Sequence, residues 1–157
     1  MVGSQTPLNA DETRDLVLRQ RITDIRVVRY FHQGEQTGDE GPVETHLGNG
    51  AVVLFECGGD GEEMTMKRGA WEDPFAGEQP GENLAFIRDY GKWTRVAPEH
   101  TTDLRSQVVG AVVDEVSFEG TRQGKTTGAA LSLGNRVLRV RADRDELRIS
   151  LDVPSGS

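Results

Sequence analysis

The chain has 157 residues and a formal net charge of −8, from 18 Lys and Arg against 26 Asp and Glu. This charge argues against nucleic acid as a partner, because phosphates would be repelled, and it favours a basic protein partner. The length suits a single domain over residues 1–157, and 19 glycines with an apolar fraction of 35% are typical of short strands joined by glycine turns.

The cysteine content and the apolar pattern limit the cellular compartment that we expect for the protein. Cys57 is the single cysteine, so an internal disulfide is excluded. The N-terminal residues lack the basic and apolar segments of a signal peptide, and no apolar run reaches membrane-spanning length. We therefore expect a cytoplasmic protein that binds no membrane.

The first regular elements follow a loose N-terminal tail. Asn9 and Glu12 have the spacing of a capping box, which predicts a short helix through about Arg19. The apolar alternation from Leu16 to Ile22 also fits an extended chain, so both readings stay open. β-branched and aromatic residues then predict a strand from Ile22 to Phe31.

A hairpin comes next. Val43–Leu47 and Ala51–Cys57 read as strands around Asn49-Gly50, a dipeptide typical of a two-residue turn in which both residues take positive φ. Glu62–Lys67 reads as a fourth strand that completes the unit.

The hairpin sequence occurs twice. Thr45–Leu54 is matched 86 residues later by Leu131–Val140, with Leu-Gly-Asn at each turn. The matching positions are turn glycines and alternating apolar residues, where backbone geometry and burial dictate residue type. Without a gap, Val52 and Leu54 fall on Leu138 and Val140.

The repeat predicts the organisation of the domain. The first β repeat spans 18–67, an aromatic-rich inter-repeat segment spans 68–103, and the second β repeat spans 104–153. The alternative is that two ordinary hairpins converged on the same turn chemistry. In the second repeat, Val108–Phe118 reads as its first strand and Glu146–Val153, with its apolar alternation, as its last. The predicted fold is mainly β, with two duplicated four-strand units that form one barrel-like or two-sheet domain.

The inter-repeat segment carries both tryptophans. Glu82–Tyr90 predicts a short helix that ends at Gly91, and Trp93–Val96 predicts a strand. Two interpretations of its aromatic residues stay open: they cover an open end of the core, or they form an exposed recognition patch with an acidic rim. The residues of this patch are Trp71, Phe75, Trp93, Glu72 and Asp73.

No catalytic, metal-binding or cofactor-binding motif is present in the sequence. The three histidines share no ligand spacing, and the acidic runs Asp60–Glu63 and Asp143–Glu146 read as solvated turns. If the strands closed into a barrel with a ligand in its mouth, His46, Cys57 and Tyr90 would be its pocket residues.

Three functions are consistent with these patterns. The first is a non-enzymatic binding protein, such as an acidic inhibitor or immunity-type protein, that recognises a basic protein through the aromatic segment. The second is a small β-barrel that binds or transforms a small molecule. The third is a structural subunit of a homo-oligomer, in which the acidic first repeat meets the more basic second repeat of a neighbour.

Overall fold

The computed structural model describes residues 5–38, 40–58, 63–72, 80–96, 101–120, 124–143 and 146–152. Its elements are, in chain order, β1 (Thr6–Leu8), α1 (Ala10–Val17), β2 (Ile22–His32), β3 (Glu35–Gln36), β4 (Val43–Leu47), β5 (Val52–Cys57), β6 (Met64–Arg68), α2 (Gly81–Tyr90), β7 (Lys92–Arg95), α3 (Thr102–Val108), β8 (Glu115–Gly120), β9 (Thr126–Ser132), β10 (Val137–Asp143) and β11 (Glu146–Asp152). The described part of the chain is mainly β, as the sequence predicts.

The described strands form two antiparallel sheets and do not close into a barrel. The first sheet has the order β1-β6-β5-β4-β2-β3, with β7 also paired to β2, and the second has the order β11-β10-β9-β8. Of the two predicted architectures, the two-sheet domain is therefore the one observed. One hydrophobic cluster contains side chains from both sheets, including Phe55, Met64, Leu131 and Leu138.

The two sheets also meet through the segments that follow α1 and α3. The N–H of Arg19 donates to the carbonyl of Val113, and the N–H of Gly110 donates to the carbonyl of Ile22, both at 2.7 Å. An antiparallel bridge between Arg21 and Val112 lies at the centre of this pairing. The two helix-to-strand connections thus run antiparallel to each other and are joined by hydrogen bonds.

The predicted strand Val108–Phe118 is wrong over its first half. Residues 102–108 form α3, and the strand β8 begins at Glu115. The apolar run that suggested a strand contains Gly110, which takes a left-handed φ of 94° and turns the chain after the helix. Val108 is apolar because it is the buried last residue of α3.

The turn at Asn49-Gly50 is also not the predicted two-residue turn. The N–H of Leu47 donates to the carbonyl of Ala51 at 3.0 Å, so the loop has three residues, and of these Gly50 alone has a positive φ. This is the geometry of a turn followed by a glycine bulge. The side chain of Asn49 instead accepts from the N–H of Ala51 at 2.9 Å and donates to the carbonyl of Leu16 at 3.1 Å, which ties the turn to α1.

The second hairpin has a shorter turn. The N–H of Leu133 donates to the carbonyl of Arg136 at 2.8 Å, and Gly134 takes a φ of 78°, so this loop has two residues. The difference of one residue changes the correspondence beyond the turns. In the hairpin ladders, the buried core residues Val53 and Phe55 occupy the positions that Leu138 and Val140 occupy in the second hairpin. The ungapped sequence match, which aligned Val52 and Leu54 with Leu138 and Val140, is therefore wrong.

Candidate functional site

A cavity of about 430 Å³ opens where the end of β5 approaches the start of β11. Two tryptophans, Trp71 and Trp93, line it, together with Cys57. Three carboxylates, those of Glu40, Glu56 and Glu146, complete its polar lining. Among the described residues, no Lys, Arg or His belongs to the lining. We call this space the Trp–Glu cavity.

A close backbone contact builds one wall of the Trp–Glu cavity. The N–H of Gly41 donates to the carbonyl of Leu147 at 2.9 Å, which joins the loop before β4 to β11. Gly41 has a φ of 146°, and a Cβ at this position would lie 2.1 Å from the carbonyl oxygen of Val28 and 2.8 Å from the ring of Trp93. A side chain at this position would therefore clash with both, so the wall requires glycine.

The second wall depends on the pairing of β7 with β2. Trp93 lies opposite Tyr30 in the register of these strands. Their rings meet edge to face, with centroids 5.3 Å apart and an interplanar angle of 81°. This arrangement is a favourable one for two aromatic rings, because the positive edge of one faces the negative face of the other. The contact fixes the orientation of Trp93 at the cavity.

The ion pair of Glu44 and Arg95, whose carboxylate is buried, binds both the N–H and the carbonyl of Trp71. Glu44, on β4, is fully buried, and its Oε2 accepts from the N–H of Trp71 at 2.7 Å and from Nη2 of Arg95 at 2.5 Å. The same Nη2 donates to the carbonyl of Trp71 at 3.0 Å. On the other carboxylate oxygen, Nε2 of His46 lies 3.0 Å from Oε1 of Glu44. Glu44 and Arg95 therefore position Trp71 at the cavity.

The environment of Glu44 stabilises its ionised form. Burial by itself raises the pKa of Glu44, but hydrogen bonds from His46, Arg95 and the Trp71 N–H, together with the charge of Arg95, outweigh it and hold the pKa below its ordinary value. Glu44 is therefore a carboxylate at neutral pH, although solvent does not reach it.

Two of the cavity carboxylates have cations just outside the lining. Oε1 of Glu56 lies 3.1 Å from Nζ of Lys67, and Glu146 is paired with Arg148. These side chains are partly exposed, and such pairs contribute about 0 to 1 kcal/mol, so they exchange partners at little cost. The cavity thus presents carboxylates that an incoming cation can reach.

The structure brings three of the predicted site residues together: Trp71, Trp93 and Cys57. Glu72 is exposed beside Trp71 and does not line the cavity, and Phe75 and Asp73 lie outside the described residues. His46 contacts Glu44 rather than the cavity, and Tyr90 is exposed on α2. The set His46, Cys57 and Tyr90 is therefore not assembled around one described cavity.

Sequence reasoning missed Glu44 and Arg95. In the pattern Val43-Glu-Thr-His-Leu47 the alternation places Glu44 on the face opposite the core, where a charged residue is normally solvated. Trp71 and Arg95 of β7 bind Glu44 on this face, where the carboxylate is buried. A buried position for Glu44 has no signal in the local sequence, because these partners are 27 to 51 positions away.

No protein-family model, curated protein or solved structure matches the chain. Within the described ranges, no helix is long and apolar enough to cross a bilayer. The same ranges contain no group of three or more His, Cys, Asp and Glu side chains placed to hold a metal ion.

Proposed function

We propose that the protein is an acidic binding protein that captures a basic protein by taking one of its Arg or Lys side chains into the Trp–Glu cavity. The observation that carries the proposal is the lining itself: two tryptophans and three glutamates, with no basic side chain among the described lining residues. The faces of tryptophan rings attract cations, and carboxylates add direct charge pairing. An acidic inhibitor or immunity-type protein would use such a cavity to hold its basic target.

Arginine fits the cavity better than lysine. A guanidinium group stacks on aromatic rings and binds carboxylates through two parallel hydrogen bonds, whereas an ammonium group acts as a compact point charge. Trp71 and Trp93 provide the rings, and Glu56 and Glu146 provide carboxylates. Because Glu44 and Arg95 already fix the backbone of Trp71, little conformational entropy is lost when the cation enters, which increases affinity.

A second candidate function is the binding of a small organic cation. The observation that favours it is the cavity volume of about 430 Å³, since small-molecule sites have volumes of roughly 300–1,000 Å³. The same lining would recognise such a ligand, and Cys57 would lie beside it. A homo-oligomer, in which the acidic first repeat meets the second repeat of a neighbour, has no such cavity-based support.

We also propose that the two halves of the chain are diverged copies of one unit. The order of elements supports this origin, since in each half a helix precedes a run of neighbouring antiparallel strands: α1 precedes β2-β4-β5-β6, and α3 precedes β8-β9-β10-β11. The Trp–Glu cavity would then be an addition to the first copy, because the segment that supplies Trp71 and Trp93 lies between the copies.

Tryptophan fluorescence tests the proposal directly, because both tryptophans of the chain line the cavity. N-acetyl-arginine amide should change the fluorescence in a saturable way, whereas its neutral isostere N-acetyl-citrulline amide should not. Glu56→Gln should weaken binding of the arginine probe by about tenfold, in line with the loss of a charge-assisted hydrogen bond. Glu115→Gln, an exposed change on β8, is the matched control and should bind as wild type.

Equal responses to the arginine and citrulline probes would refute the cationic site. Affinity capture then separates the two candidate functions. Wild type should retain a basic protein from a lysate of the source organism, and the double variant Trp71→Ala, Trp93→Ala should lose it. A small cation retained by wild type in native mass spectrometry, with no protein partner, would instead support the second candidate.

A further inference from the structure

Exposed apolar side chains are concentrated on one short stretch of the chain. Within the part that the structure describes, six large apolar residues are at least about a third exposed, and four of them lie between positions 84 and 93. They are Leu84 (56%), Phe86 (49%), Tyr90 (63%) and Trp93 (39%). The first three belong to α2, and none of the residues of α2, all of which are described, is buried. Clustered exposed apolar residues mark interaction surfaces.

The sheet holds α2 by its C-terminal backbone. The hydroxyl of Tyr30 donates to the carbonyl of Tyr90, and Nε2 of His32 lies 3.1 Å from the carbonyl of Arg88. Gly91, with a φ of 87°, then turns the chain into β7, and a Cβ there would lie 2.3 Å from the carbonyl oxygen of Phe31. The helix is thus fixed in place while its apolar side chains remain outside the core.

Tyr30 links the exposed aromatic pair of α2 to the Trp–Glu cavity. The rings of Phe86 and Tyr90 are 5.0 Å apart on the helix. Tyr30, which binds the end of the helix, contacts Trp93 edge to face, and Trp93 lines the cavity. A bound peptide whose cation occupies the cavity would therefore pass over Trp93 towards α2.

We propose that the α2 face, formed by Phe86 and Tyr90, binds an apolar side chain that neighbours the captured cation in the same basic partner. This inference rests on the proposed function, since the cavity determines where the partner lies. The acidic charge of the chain selects a basic segment. On α2 itself, Arg88 and Asp89 form an ion pair at 3.2 Å, so the exposed face offers apolar contact rather than a second charge. The same acidic charge disfavours an anionic lipid surface as the occupant.

Paired peptide probes test the inference. One probe is acetyl-Arg-amide extended by glycines, and the others carry Phe after roughly one to six glycine spacers, each of which adds about 3.3 Å of reach. At the spacing that spans from the cavity to α2, Phe should improve binding about tenfold, as expected when a Phe side chain is buried. The double variant Phe86→Ser, Tyr90→Ser should lose this gain and still bind the Phe-free probe as wild type. Val109→Ser should keep the gain. It also replaces an exposed apolar side chain by serine, but at a site outside α2 and the cavity.

The outcomes separate the two proposals. If the Phe-free probe does not bind, the cationic cavity is refuted and this inference with it. If that probe binds but Phe adds nothing at any spacing, or adds the same in the α2 variant, the inference alone is overturned. Loss of the Phe-free probe in the α2 variant would also overturn it, because the side chains would then support the cavity. Self-association or binding to phosphatidylcholine vesicles that disappears in the variant would assign the face to a second copy or to lipid, against the inference.

Discussion

Replacement of Arg95 by methionine tests whether the buried Glu44 pair stabilises the fold. Methionine keeps most of the length and apolar volume of the arginine side chain but removes its charge and its donors. Glu44 would then remain fully buried with His46 and the Trp71 N–H as partners, and the Trp71 carbonyl would lose its donor. Removal of one partner from a buried ion pair costs about 3 to 5 kcal/mol.

The expected loss for Arg95→Met is at the lower end, about 3 kcal/mol of unfolding free energy. The reason is that 35% of the Arg95 side chain is exposed, so solvent already screens part of the pair. Urea unfolding, followed by far-UV circular dichroism, measures this value.

Arg88→Met is the matched control. Arg88 forms an ion pair with Asp89 and its side chain is 73% exposed, so its loss should cost less than about 1 kcal/mol. If Arg95→Met costs no more than this control, and its tryptophan fluorescence is that of wild type, then Arg95 neither stabilises Glu44 nor positions Trp71. That result would refute the structural role that we give to the pair.

Three further changes probe other parts of the structure. Because the pKa of Glu44 is lowered, its ion pair stabilises the fold above the ordinary glutamate pKa of about 4.3. This stability is lost as pH falls through the folded pKa. The melting temperature of Glu44→Gln should therefore depend less on pH below about pH 4.5 than that of wild type. Gly41→Ala should cost about 2 kcal/mol or more, since it adds a backbone clash to an unfavourable φ, whereas Gly34→Ala, with a φ of 81° and open space around it, should cost about 1 kcal/mol; equal costs in chemical denaturation would contradict the steric explanation. Asn49→Ala should cost about 1 kcal/mol because it removes two hydrogen bonds at the turn, and an unchanged melting temperature would show that these bonds are dispensable.

The sequence predicts best those elements whose stop signals and periodicity are local. The capping box of Asn9 and Glu12 is present in the structure, with both of its hydrogen bonds formed. Gly91 ends α2 with a positive φ, as its position after the predicted helix suggested. Both features depend on residues within one helical turn of each other, so no distant part of the chain is needed to interpret them.

The secondary-structure predictions are wrong where similar short sequences adopt different backbone conformations. Leu-Gly-Asn begins a three-residue loop at Gly48 and a two-residue loop at Gly134. The first loop includes Gly50, which adopts the positive φ there, whereas Gly134 itself adopts it in the second. The predicted strand Val108–Phe118 is a second case. The apolar run around Gly110 fits a strand equally well in the sequence, but Gly110 takes a positive φ and joins α3 to β8.

The candidate site was also predictable only in part from the sequence. The aromatic-rich inter-repeat segment, with both tryptophans, was visible in the sequence. The structure places Trp71 and Trp93 at one cavity. The carboxylates of the cavity come from three distant places, the loop before β4, the end of β5 and the start of β11. Their convergence depends on how the second sheet packs against the first, which no local pattern specifies.

The two halves differ most in what covers the outer faces of their sheets. In the first half, the segment with Trp71 and β7 lies over the face that carries Glu44, and it buries that carboxylate. In the second half, the corresponding face carries three exposed arginines, Arg139, Arg141 and Arg148, of which Arg141 and Arg148 lie directly opposite each other. Adjacent like charges are unfavourable unless solvent and carboxylates such as Glu119 screen them, so this face suits exposure. The proposed binding function uses the covered face, because Trp71 and Trp93 there form aromatic walls of the cavity.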